Sequence, residues 1–264
     1  MKQYILLTLN TLTLILTLIV NFLSGSGAIG GKTIGEVSAQ NETLVTPAGY
    51  AFSIWGIIYL LLIAYVSYQW YDWIRHKSDH ELKKANVWFM LSNVFNSSWI
   101  YFWLNGYLGL SVIVMFMLLV SLIILTIRLR LETWDAPVRI IFFVWWPICI
   151  YLGWIIAASV ANTAIYLKSI PWEGFGIPEN IWAVVMIIIA ALIYIFLIFT
   201  RNLREAAGVG IWAFVAIAVK QKGTYPEVVV TAVIMSVILF LLIAYHGYKN
   251  QNTSPFKKIA RGEI

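Results

Sequence analysis

The stretch WWPICIYLGWIIAASVANTAIYL, residues 145–167, carries no charge and is long enough, at about 1.5 Å rise per residue, to cross about 30 Å of hydrocarbon as a helix. At 100° per residue, Pro147, Tyr151, Trp154, Ala158 and Asn162 fall in one narrow stripe of that helix. A kink-former, two polar-tipped aromatics, a small residue and an amide thus share a face. An amide in hydrocarbon is costly unless it finds a partner. The stripe is therefore expected to face other helices or a ligand.

Seven further apolar runs complete a set of eight candidate spans, at 4–23, 48–70, 85–104, 108–126, 140–167, 181–200, 205–219 and 227–245. The composition agrees: 61% of residues are hydrophobic and 11% charged, where soluble domains are about a quarter charged. The chain reads as an all-α, polytopic membrane protein. The seventh run is the weakest, because it is short and contains Gly208 and Gly210, so a re-entrant or interfacial segment is an alternative. The turn at 105–107 allows only a hairpin between spans three and four.

The net charge of +6 does not form a basic patch interleaved with aromatics, which argues against nucleic acid. It sorts by topology instead. With the amino terminus inside, 14 of the 18 basic residues, Lys2 and Lys77 among them, fall on inside segments, and only Lys32, Lys168, Lys220 and Lys222 fall outside. The positive-inside rule then favours eight spans with both termini cytoplasmic. Dropping the seventh span worsens the division to 12 against 6. The first span also resembles a secretory signal. Its length and the polar stripe Asn10, Thr13, Thr17 and Asn21 favour a retained bundle helix, whose polar groups bond across helices.

The absences narrow the chemistry. His76, His80 and His246 all lie outside mid-membrane depth, and no Asp, Glu, Lys or Arg lies there either. Proton relays, ion pathways and intramembrane metal sites normally need such groups, so no metal is expected. The single cysteine, Cys149, precludes an internal disulfide. No phosphate-binding Gly-Lys-Ser/Thr loop and no Ser-His-Asp set is present.

What remains is aromatic. Phe52, Trp55 and Tyr59 in the second span, and Asn96, Trp99 and Trp103 in the third, repeat the intervals of three and four that put side chains on one helical face. Each Trp alone is readily explained as core or interfacial belt. Three spans with the same pattern suit a large, planar, apolar ligand with few polar substituents. A long polar connection such as that at 24–47 is often merely disordered, but it can also fold over the mouth of such a site.

Residues 1–168 resemble the TspO/MBR family of tryptophan-rich sensory proteins, which includes the mitochondrial translocator protein. The resemblance rests on Pro47, Phe52, Trp55 and Tyr59, on Asn96-x-x-Trp99 followed by Phe102 and Trp103, and on Tyr151, Trp154, Ala158 and Asn162. The departures are Ala48 in place of a second proline, a missing tryptophan before it, one residue fewer between Phe52 and Trp55, and Pro147 four residues before Tyr151 rather than adjacent. The resemblance implies a five-helix core at 1–168 and a helical extension at 169–264. It further implies a pocket between helices 2, 3 and 5 for a porphyrin, haem or sterol-like lipid, held as ligand rather than as a required cofactor. Its ligand-binding residues are then Pro47, Phe52, Trp55, Tyr59, Asn96, Trp99, Trp103, Tyr151, Trp154, Ala158 and Asn162, with a homodimer open as an assembly. A transporter of a small neutral or amphipathic solute is the alternative, with Gly153, Gly208 and Gly210 as flex points. A membrane enzyme acting slowly on porphyrin has less support, and no catalytic residue is assigned.

Overall fold

The computed structural model describes residues 3–75, 80–85 and 87–263, which contain helices and no strand. Lys2, His76 and Lys77 lie outside the described residues. In chain order the helices are α1 (Gln3–Gly25), α2 (Ile34–Gln40), α3 (Ile54–Arg75), α4 (His80–Ala85), α5 (Trp88–Leu104), α6 (Leu108–Arg128), α7 (Val138–Ile140), α8 (Trp146–Ser169), α9 (Glu179–Arg201), α10 (Arg204–Gln221), α11 (Pro226–Lys249) and α12 (Pro255–Ala260). Long helices thus occupy all eight predicted spans. Six of them, α1, α3, α6, the α7–α8 unit, α9 and α11, are long and apolar enough by themselves to cross a membrane. The other two fall short for different reasons. α5 has 17 residues, and α10 carries Arg204, Glu205 and Lys220 at its ends.

α10 is a continuous helix with no break at Gly208 or Gly210. Its modest apolarity follows from its position among α8, α9 and α11, where small residues let backbones approach. A Cβ on Gly210 would lie 2.5 Å from the Tyr194 ring, and one on Gly153 of α8 would lie 2.7 Å from the Ala206 carbonyl oxygen. Two of the three expected flex points are thus contact points. The Tyr194 hydroxyl then donates to the Gly153 carbonyl oxygen at 2.8 Å, tying α9 to α8.

Two departures from regular winding shape the helices that matter here. The second span begins with a 3-10 turn at Gly49–Ser53, so Phe52 sits one tight turn below Trp55 on α3. Ahead of Pro147, residues Ile141–Trp145 form a π-helical stretch. Proline has no N–H to donate back along the helix, and widening the preceding turn re-registers the carbonyls it leaves. The expected α5–α6 hairpin closes through Gly106 at φ +76°, a left-handed conformation that glycine adopts without strain.

The polar stripe of α1 faces inward. Asn10 donates to the Gln69 side-chain oxygen at 3.2 Å, Thr17 to the Asn93 carbonyl at 2.9 Å, and the Trp70 indole to the Thr11 hydroxyl at 2.9 Å. α8 lies at the centre, touching α3, α6, α9 and α10. One continuous apolar core includes residues of both the first five spans and the last three.

Candidate functional site

Four tryptophans from three helices meet beside a cavity of about 40 Å3. Trp55 of α3 stacks on Trp99 of α5 with ring centroids 6.3 Å apart, and Trp99 stacks on Trp103 at 5.8 Å. Trp154 of α8 meets Trp55 edge-on at 6.3 Å and Phe52 at 5.9 Å. Offset stacks and edge contacts are the arrangements favoured by the ring quadrupole. The helical spacings of three and four bring this about by putting each helix's rings on the side facing the other two.

Of the eleven residues singled out in the sequence, Pro47, Phe52, Trp55, Trp99, Trp103, Trp154, Ala158 and Asn162 line the cavity. Tyr59, Asn96 and Tyr151 lie behind it in a hydrogen-bonded chain. The Tyr59 hydroxyl donates to the Asn21 side-chain oxygen, the Asn21 amide donates to the Asn96 oxygen at 3.1 Å, and the Asn96 amide donates to the Tyr151 hydroxyl at 3.0 Å. This chain joins α3, α1, α5 and α8 through four polar side chains. It orients the rings in front of it, since Tyr59 stacks on Trp55 at 5.4 Å.

Asn162 finds the partners that its position demands. Its oxygen accepts from the Trp99 indole N–H at 2.8 Å, and its amide donates to the Ser111 hydroxyl of α6 at 2.9 Å. Trp103 donates to the Ile34 carbonyl at 3.2 Å. Two indoles differ: the N–H groups of Trp55 and Trp154 are buried and have no hydrogen-bond partner among the described residues. Both rings line the cavity and are at least nine-tenths buried. Buried donors left in this condition are uncommon and costly.

The connection at 24–47 covers the mouth, as expected. α2 starts with a capping box in which the Thr33 hydroxyl accepts from the Glu36 N–H and the Glu36 carboxylate accepts from the Thr33 N–H. Its Ile34 and Ser38 line the cavity. The far end of the connection is tied to α10, where the Ala48 N–H donates to the Ala216 carbonyl at 3.1 Å and the Trp212 indole to the Ala51 carbonyl at 3.0 Å. Ala213 and Ile217 of α10 complete the wall.

Sequence reasoning missed Asn21 and Ser111 as site residues, although Asn21 belongs to a polar stripe that required partners. Ala213 and Ile217 carry no sequence signal. Also missed was a polar cavity of about 190 Å3 at the other end of α8, lined by Glu132, Asp135, Trp145 and Asn202 among others. There, burial and the neighbouring Glu205 carboxylate push the Glu132 carboxyl well above its ordinary range, against the nearby Arg204 and the Asn202 amide. Among the described residues no group of three or more His, Cys, Asp or Glu is placed to hold a metal.

A family model described as TSPO-like protein matches residues 6–245. The match therefore runs well past residue 168 and takes in α9, α10 and most of α11. No curated protein and no solved structure gives a significant match.

Proposed function

Because the chain belongs to the TSPO-like family, we propose that this integral membrane protein uses the aromatic cavity between α3, α5 and α8 to hold a planar apolar ligand of the porphyrin, haem or sterol-like class. The observation that carries this reading is the pair of unpartnered indole N–H groups, Trp55 and Trp154, on rings that line the cavity. A ligand whose flat body stacks on the Trp55–Trp99–Trp103 series, and whose polar edge accepts from those donors, satisfies what the protein alone leaves unmet.

Size adds a condition. Sites for ligands of this kind are about 300–1,000 Å3, whereas the cavity holds about 40 Å3. Binding must part the rings or lift α2 from the mouth, so the resting form is closed and association is slow. The direct test is a protoporphyrin IX titration of purified protein in lipid nanodiscs, following tryptophan quenching and the porphyrin absorption band. The expected result is saturable binding that weakens about tenfold or more in Trp154→Leu and Asn162→Leu. Absence of binding, or binding unchanged in both variants, overturns the reading. Solute flux through proteoliposomes without stable binding would instead favour the transporter.

A further inference from the structure

A second chamber, about 390 Å3, opens beside the aromatic cavity and is built largely by the extension. Its walls are apolar: Leu44 of the covering connection, Ala164 and Leu167 of α8, and Ala183 and Met186 of α9. Val45 lines this chamber and the aromatic cavity alike, so it stands between them. Unlike the aromatic cavity, the chamber is already of ligand size.

The linker between α8 and α9 and the first turn of α9 supply the remaining wall. Trp172 and Trp182 lie 5.3 Å apart at 52°, and both line the chamber. The Trp182 indole N–H donates to the Gly174 carbonyl at 2.8 Å, which fixes that ring against the linker. Gly174 holds φ +63° with its Cα against Trp182, where an added Cβ would lie 3.0 Å from the indole nitrogen. The tight turn therefore presents two indoles to the chamber at a fixed angle.

Three charges line the chamber, and they do not cancel. Lys168 pairs with Glu179 at 3.3 Å and spends a second donor on the Glu42 carbonyl at 2.8 Å. Glu173 has no ion-pair partner among the described residues. One surplus carboxylate beside two indoles and an aliphatic floor is the combination that recognises an ammonium group carried on an apolar body. We propose that the chamber between α8, α9 and their linker binds an amphipathic organic cation, its ammonium at the unpaired Glu173 against the two indoles, with Glu179 offsetting Lys168, and its apolar part on the floor. This site is independent of the ligand assigned to the aromatic cavity.

The test is calorimetric titration of the full chain in zwitterionic nanodiscs with (naphthylmethyl)trimethylammonium, with empty nanodiscs subtracted. Naphthylmethanol and naphthylacetate, which keep the ring and change the charge, are the comparisons. We expect one saturable site per chain that binds the cation about tenfold or more tighter than either. Glu173→Gln is expected to weaken the cation about threefold, and the double change with Glu179→Gln about tenfold. Both carboxylates are exposed, so these variants should retain the wild-type circular dichroism. Ala164→Trp, which fills the floor, should abolish binding. Equal affinity for the alcohol or the acetate overturns the proposal, as does no saturable binding or an unchanged affinity in the double variant.

Discussion

The two cavities lie on neighbouring faces of the same helix and differ about tenfold in size, about 40 Å3 on the aromatic side and about 390 Å3 on the linker side. The difference comes from who supplies the walls. On the aromatic side, three long helices aim large flat rings at one another, and asparagine and tyrosine hydrogen bonds lock the rings in place. On the linker side α8 and α9 meet a glycine turn and the turn at 43–46, and such irregular segments do not interdigitate as helices do. The first arrangement is tight and must open to admit a ligand; the second is open as it stands.

The strongest way to break this contrast is to loosen the tight side from behind. Gly153→Ala would place a methyl 2.7 Å from a backbone oxygen of α10 that cannot rotate away. A loss of about 3 kcal/mol is expected, as for other overpacked contacts, read as a lowered unfolding midpoint in detergent micelles. Because α10 carries Ala213 and Ile217 in the cavity wall, porphyrin affinity should change in the same variant. A fully wild-type midpoint would show that α8 and α10 are not held as close as described.

A matched pair tests the contrast directly. Ala158 lines the aromatic cavity and Ala164 the chamber. Ala158→Leu is expected to cost about 2 kcal/mol, since the added carbons exceed the space, and Ala164→Leu within about 0.5 kcal/mol, since there is room. Equal costs would mean that the two sides do not differ in packing.

Asn162→Leu removes one of the hydrogen bonds that lock the tight side. It strands the Trp99 indole N–H and removes an acceptor and donor facing Ser111. Hydrogen bonds between membrane helices average well under those in soluble cores, so about 1.5 kcal/mol is expected for the pair. Asn162→Asp, which keeps the acceptor, should restore the indole contact and some of the stability. If both variants melt together, the acceptor is not what matters.

A pH-dependent effect lies at the far end of the bundle. Glu132 has its carboxyl raised by burial and by Glu205, from an ordinary value near 4.5 towards about 8. The folded state therefore holds a proton that the unfolded state has lost, and this contribution is present at low pH and disappears as pH rises through that window. Unfolding midpoints should fall between about pH 5 and pH 8 in the parent chain, and fall less in Glu132→Gln. Porphyrin binding should not follow this profile, because Glu132 does not line the aromatic cavity.

Much of the aromatic site was legible because it is written in helical periodicity. Phe52, Trp55 and Tyr59, or Asn96, Trp99 and Trp103, can share a face only if the chain is helical, and an amide such as Asn162 at membrane depth has to meet a donor or an acceptor. Asn21 was half legible, as part of a stripe without a named partner. The chamber was not legible. Trp172, Glu173 and Trp182 are ordinary residues in a loop and a first helical turn, and their meeting depends on a left-handed turn at Gly174 and on where α9 docks.

The membrane class, the eight helical segments, the hairpin at 105–107 and the helix faces that carry the rings could be read from the chain alone, because hydrophobic length and a period of 3.6 residues are local properties. Tertiary contacts were needed to settle that α10 is a continuous helix packed on α8, α9 and α11, that it joins α2 in closing the aromatic cavity, and that the linker leaves a second chamber open. Those outcomes depend on how closely particular backbones approach. Gly153 and Gly210 permit that approach, but neither residue names the helix that will fill the space beside it.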